Sequence, residues 1–177
     1  VHAQALAESR GLHMFESFAP GLVCGVGTYG IELLRAAPDL DAVYVPVGLG
    51  SGVCGVITAR NALGLQTEVI GVVAEQAPAY ALSFEAGEVR ETMSADTLAD
   101  GVAVRIPHPQ ALEFMRAGAS RIVSVSETEI LDAMGFYFTD THNIAEGAAA
   151  TPLAALLQEK EQMRGKKVGL ILSGGNV

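Results

Sequence analysis

The sequence has no tryptophan, three lysines (Lys160, Lys166 and Lys167), two cysteines and four histidines among 177 residues. Each shortage narrows the chemistry. With 11 basic residues against 20 acidic ones and no basic stripe, the chain lacks the cation clusters that hold a nucleic-acid backbone. No apolar run reaches membrane-spanning length, so a membrane is not an expected partner. Cys24 and Cys54 lie far apart in apolar stretches, which predicts buried free thiols and fits a cytoplasmic setting. His2, His13, His108 and His142 show no metal-ligand spacing among themselves or with the cysteines, and no metal site is expected.

What is present is the material of a globular domain: half the residues are hydrophobic, 18% are charged, and 20 are glycine. Runs dense in β-branched residues predict strands at Val43–Val47, Thr67–Val73, Arg121–Val125 and Val168–Leu172. Gly11–Phe15 is read as a further short strand. Between them, apolar periodicity predicts helices over Ala3–Ser9, Val26–Ala37, Val53–Leu63, Pro78–Ala86, Pro109–Ala117 and Glu127–Tyr137, then a small-residue-rich helical stretch from Glu146 to Met163. Ser126 and Glu129 form a capping box ahead of one of these helices. Thr139–Asn143 reads as a polar loop, with His142 the one histidine placed to approach a site near Glu146. The alternation predicts an α/β fold of three layers, a mostly parallel twisted sheet with helices on both faces. No linker, repeat or low-complexity tract divides it, so residues 1–177 are expected to form a single domain. The first helix looks cut short, and a portion of a larger protein is expected.

The chain is organised around Val43–Gly55, where a buried strand runs into a helix through Gly48-Leu49-Gly50-Ser51-Gly52. These residues have too little side chain to fill a core, and they present a row of backbone N–H groups continued by a helix N-terminus. Such a nest binds a phosphate dianion. A plain strand-to-helix turn would use the same glycines. In parallel sheets, ligands gather outside the carboxyl ends of strands. The loops Gly48–Gly52, Glu75–Ala77 and Ser173–Asn176 all follow strands and are expected to share that edge. Gly50, Gly52 and Gly55 also satisfy a dinucleotide-binding G-x-G-x-x-G, with Glu75 at the end of the next strand. Gly25, Gly27 and Gly30 satisfy it equally, and Pro46 interrupts the strand just before the loop. No Gly-Lys-Ser/Thr follows, which excludes a Walker loop.

Several separated segments point elsewhere together. Gly25-Val26-Gly27-Thr28-Tyr29-Gly30-Ile31-Glu32, Val45-Pro46-Val47-Gly48-Leu49-Gly50-Ser51-Gly52, Thr97-Leu98-Ala99-Asp100-Gly101, Ala145-Glu146-Gly147-Ala148 and Leu172-Ser173-Gly174-Gly175-Asn176 occur in that order. In order and spacing they resemble the carboxyl-terminal half of the threonine/serine dehydratase family, the fold-type II pyridoxal-phosphate enzymes. The resemblance implies that Gly48, Leu49, Gly50, Ser51 and Gly52 hold the phosphate of pyridoxal 5'-phosphate. It also implies a hydrogen bond from Ser173 to the pyridine nitrogen, a backbone contact from Gly101, and a place for Glu146 near ring and substrate. Leu49 and Ser51 replace glycines of the family's usual loop. Where relatives place an Asp six residues after a Glu to bind a divalent ion, this chain has Ala81 after Glu75.

The family's Schiff-base lysine lies in an S-x-K-x-R-G segment that has no counterpart here. Lys160, Lys166 and Lys167 sit at a helix end and read as a solvated, dipole-complementing terminus. The expected protein is therefore a lyase that eliminates water from a small hydroxy amino acid such as L-threonine or L-serine, with its lysine-bearing half missing from these residues. A homo-oligomer is expected. An amino-acid racemase of the same fold and a non-catalytic cofactor-binding domain are the alternatives.

Overall fold

The computed structural model describes residues 2–176. Helices α1 (His2–Arg10) and α2 (Pro20–Ala36) lead into strand β1 (Ala42–Pro46), followed by α3 (Ser51–Ala62), β2 (Glu68–Ala74) and α4 (Ala79–Ala86). A long irregular stretch contains only a single 3-10 turn, Asp100–Val102, before α5 (Pro109–Gly118), β3 (Arg121–Val125), α6 (Glu127–Thr141), α7 (Gly147–Gln158) and β4 (Val168–Leu170). The strands form one parallel sheet in the order β3-β2-β1-β4.

Strand alternation divides the core into two layers. Tyr44, Ile70, Val72 and Ala74 face α6 and α7, packing with Ile130, Ala133 and Ala149. Val43, Val45, Val69 and Val73 face the other way, onto Leu34 of α2, Val56 of α3, Tyr80 of α4 and Met115 of α5. Both faces are buried, which is why the central strands read as continuous apolar runs.

The order of the strands fixes where a ligand can enter. From β1 the chain moves to β2 and β3 through α3, α4 and α5 on one face, then returns to the far side of β1 through α6 and α7 on the other. The chain thus leaves β1 onto one face of the sheet and reaches its neighbour β4 from the other. A crevice lies at the carboxyl edge, where the segments following β1 and β4 meet.

At the opposite edge lies a polar cluster. Arg121 reaches Glu159 through two hydrogen bonds (3.0 and 2.8 Å) and Glu68 at 3.2 Å, while the Tyr44 hydroxyl donates to Glu159. Burial opposes ionisation of Glu159, but the bonds from Arg121 and Tyr44 outweigh it and hold its carboxyl below the ordinary 4.5. A carboxylate with a depressed folded-state value contributes stability above its unfolded value, and that contribution disappears as pH falls through the folded one. Melting temperature should therefore drop as the protein is acidified below about pH 4.5. Glu159→Gln should lower neutral-pH stability by about 1–2 kcal/mol and flatten that acid limb in melts recorded across pH.

Several boundaries differ from the sequence reading. Gly11–Phe15 is not a strand; it is an exposed connection, with Phe15 78% accessible, and its apolar residues have no sheet edge to join. Cys24, expected to be buried, is exposed on a surface groove that it lines together with Cys54 and Thr58 of α3, whereas Cys54 is buried. The expected loop at Thr139–Asn143 is helical through Thr141, whose hydroxyl donates to Tyr137 O (2.7 Å). His142 ends α6 in the left-handed region (φ 58°) and is exposed outside the crevice. The last strand stops at Leu170, although Ile171 N–H still donates to Tyr44 O (3.1 Å). Ser126 and Glu129 do form the capping box.

Candidate active site

The crevice is built first by the loop after β1. Val47 N–H makes the last ladder-like bond, to Val72 O (2.8 Å), and the chain then turns into α3. Gly50 occupies the N-cap with φ 99°, a left-handed conformation that favours glycine. No side chain caps the helix. Cys54 is the first amide with an intrahelical acceptor, Gly50 O at 3.0 Å, which leaves the amides of Gly50, Ser51, Gly52 and Val53 without helical partners. The positive end of the α3 dipole lies at the same place.

The facing wall comes from two other segments. The 3-10 turn sets Gly101 against the loop so closely that a Cβ on Gly48 would run into the Gly101 carbonyl oxygen. A Cβ on Gly101 would in turn meet Ala148 Cβ at 2.8 Å. Glu146, at the N-cap of α7, donates its amide to Gly174 O (3.2 Å) and accepts from Asn176 N with Oε2 (3.2 Å). Its carboxylate packs so tightly on Gly174 that a Cβ there would lie 2.6 Å from Oε1. Glu146 thus fastens the Ser173–Asn176 segment beside the turn.

The resulting cleft, ≈ 560 Å³, is lined by Gly48, Leu49, Gly50, Ser51, Gly52, Gly101, Glu146 and Ser173, with Tyr29 and Ala148. Gly48 to Gly52, Gly101, Glu146 and Ser173, the residues named from the sequence for cofactor and substrate, all line this one cavity, whereas His142 does not. The Glu75–Ala77 loop follows β2 at the same edge but does not line it, because β4, not β2, borders the crevice. Among the described residues no lysine lines the cleft; Lys167 pairs with Asp39 at 2.5 Å on the surface. No cluster of metal-ligating side chains exists among the described residues.

Two tyrosines serve the cleft without having been singled out. Tyr29 stands over Gly52, where a Cβ would lie 3.0 Å from its hydroxyl, and burial pushes its pKa up to about 12. Its place inside the Gly25–Glu32 segment was the available signal. Tyr80, from α4, donates its hydroxyl to Leu49 O (2.8 Å) and accepts from His108 N (3.0 Å). Burial raises it to about 12, against a lowering by the His108 amide, so it remains a neutral donor through physiological pH. Cys54, on α3, turns its thiol toward Ala111 O of α5 and outside the cleft, and burial pushes the thiol up to about 12, which removes it as a nucleophile near neutrality.

The fold and cleft define an α/β protein whose unpartnered α3 amides open onto a crevice at the carboxyl edge of a parallel sheet. Residues 1–174 match the family described as "Pyridoxal-phosphate dependent enzyme", and the chain belongs to that family. It is 37% identical over 158 residues to an L-threonine ammonia-lyase of Thermotoga maritima, covering 89% of this chain and 39% of that protein. It resembles the crystal structure of a T.th. threonine deaminase with a TM-score of 0.92 at 35% identity, over 98% of this chain and 65% of that one. Maize serine racemase superimposes with a TM-score of 0.93 at 26% identity, over 99% of this chain and 55% of that one. The chain spans about half the length of the curated relatives it matches, from 39% to 55% across three of them.

Proposed function

We propose that this chain forms the cofactor-phosphate half of the active site of a pyridoxal-phosphate-dependent ammonia-lyase. The substrate in this reading is a small β-hydroxy amino acid such as L-threonine or L-serine, which leaves as a 2-oxo acid and ammonia. The observation that carries the reading is the convergence of unpartnered α3 amides, the glycine contact between Gly48 and Gly101, and Ser173 on one cleft. The fit to the cofactor is good because the donors are backbone amides that suit a dianion, and because the walls are residues whose missing side chains leave the space open.

When bound, pyridoxal phosphate supplies an electron-withdrawing ring that acidifies the substrate's α-hydrogen and lets the β-hydroxyl depart. The protein's contributions are positional. Gly48 to Gly52 would hold the phosphate through the unpartnered amides at the start of α3. Ser173, which lines the cleft, would donate a hydrogen bond to the pyridine nitrogen without protonating it, since a hydroxyl is far too weak an acid. That leaves the ring only mildly electron-withdrawing, which favours an elimination relieved by a departing hydroxyl. Glu146 keeps the Ser173 segment in place through its bonds to Gly174 and Asn176. The base that takes the α-proton is assigned to a lysine outside these residues, since the three lysines here stand away from the cleft.

The likeness to serine racemase favours racemisation as the second reading. The test is incubation of the intact protein with L-threonine and L-serine: 2-oxo acid with ammonia supports the lyase, and loss of chirality without ammonia supports the racemase. Ser173→Asp should raise the ratio of solvent-proton exchange at the α-carbon to elimination by roughly tenfold, worth ~1.4 kcal/mol between the two barriers. Deuterium incorporation measured beside 2-oxo acid formation reads this ratio. An unchanged ratio counts against the ring-nitrogen role.

A further inference from the structure

Behind the phosphate loop, on the side away from the cleft, Tyr80 is 1% exposed and spends both hydrogen-bonding capacities of its hydroxyl on backbone. It donates to Leu49 O at 2.8 Å and accepts from His108 N, at the start of α5, at 3.0 Å. The space where Gly50 would carry a Cβ is closed by Ala111 Cβ at 2.8 Å, Met115 Cε at 3.5 Å and the Tyr80 hydroxyl at 3.5 Å. The Leu49–Gly50 peptide is trans and planar, so its C=O and N–H point in opposite directions. With the carbonyl drawn back to Tyr80, the Gly50 N–H points out of the α4–α5 core, on the side where Gly50 lines the cleft. Glycine tolerates either sign of φ, so a rotation of this peptide would otherwise be cheap. A rotated peptide would turn a carbonyl oxygen toward the anion in place of a donor.

We propose that Tyr80 is a positioning residue for the anion cradle, fixing the Leu49–Gly50 peptide so that the Gly50 amide is presented to a phosphate dianion. The inference rests on the cofactor reading above and extends it to a residue that touches no ligand. It also accounts for the tolerance of a leucine within the loop: Leu49 is 39% exposed, and the group that Tyr80 engages is its carbonyl, which any residue supplies.

The experiment is Tyr80→Phe in the intact protein, which keeps the ring and removes the hydroxyl. Binding of inorganic phosphate, pyridoxal phosphate and pyridoxal is then measured calorimetrically for the variant and the parent. Affinity for the two phosphate-bearing ligands should fall roughly tenfold, while affinity for pyridoxal stays within about twofold of the parent. Equal weakening of all three ligands would show a general loosening of the fold and overturn the proposal, as would no change in any. If the parent binds pyridoxal as tightly as pyridoxal phosphate and ignores inorganic phosphate, the cradle itself is misassigned and the role of Tyr80 falls with it.

Discussion

Replacing Gly48 by valine should weaken pyridoxal phosphate binding by at least ~100-fold, the equivalent of two charge-assisted hydrogen bonds lost from the cradle. The reason is geometric. A Cβ at this position runs into the carbonyl oxygen of Gly101, and both partners are backbone, so neither can rotate out of the way. Either the loop or the 3-10 turn has to move. Moving the loop takes the amides of Gly50 to Val53 out of convergence, and moving the turn presses Gly101 onto Ala148. Gly135→Ala on α6 is the matched control, because a Cβ there meets nothing within 4 Å. It should leave cofactor affinity unchanged and stabilise the helix by a few tenths to about 1 kcal/mol. Titration of both variants by cofactor absorbance distinguishes the two outcomes.

The second large effect concerns stability. At the crossing of α2 and α3, Gly55 approaches Gly27 so closely that a Cβ would lie 2.9 Å from both Gly27 Cα and Gly27 N. Val23 O, at 3.3 Å, closes the remaining space. Gly55→Leu should therefore push the helices apart at a cost of about 3 kcal/mol or more. In a domain of this size, that lowers the melting temperature by roughly 6–12 °C. A calorimetric melt checks it, and a melting temperature within a degree or two of the parent's would show that α2 and α3 have room to separate. The same contact accounts for one glycine in each of the two dinucleotide-like patterns of this sequence. Gly27 and Gly55 are there for close helix packing, with no ligand needed to account for them.

The strands were legible because burial on both faces leaves no polar alternation to confuse the reading. Val43, Tyr44 and Val45 are all wholly buried, and the predicted run differs from β1 by one residue at each end. The capping box at Ser126 is a local signal and was readable as such. Boundaries set by solvent were harder. Thr139 to Thr141 remain helical although polar, because the last turn of α6 is held by backbone and hydroxyl bonds that leave no apolar trace. Gly11–Phe15 reads as a short strand in the sequence, yet its apolar residues Leu12, Met14 and Phe15 are all exposed.

The site was legible for a different reason. Its residues sit in short segments whose order along the chain is distinctive, and the sheet topology carries them to one edge. Ser173 and Gly48 are distant in sequence but follow neighbouring strands β4 and β1. Tyr80 was not legible, because it acts through the carbonyl of another residue and its helix bears no motif. Glu146 was singled out without a clear role; its bonds to Gly174 and Asn176 give it one, the holding of the Ser173 segment.

The central claim is that backbone amides at the start of α3 receive a phosphate dianion. It is tested most directly by recording amide proton–nitrogen spectra of the protein while inorganic phosphate, and then pyridoxal phosphate, is added. The account predicts saturable shifts concentrated at Gly50, Ser51, Gly52 and Val53, followed by Ser173 and Gly101 only when the pyridoxal ring is present. Shifts that leave these amides untouched, or that cluster instead around Lys160, Lys166 and Lys167, would contradict it.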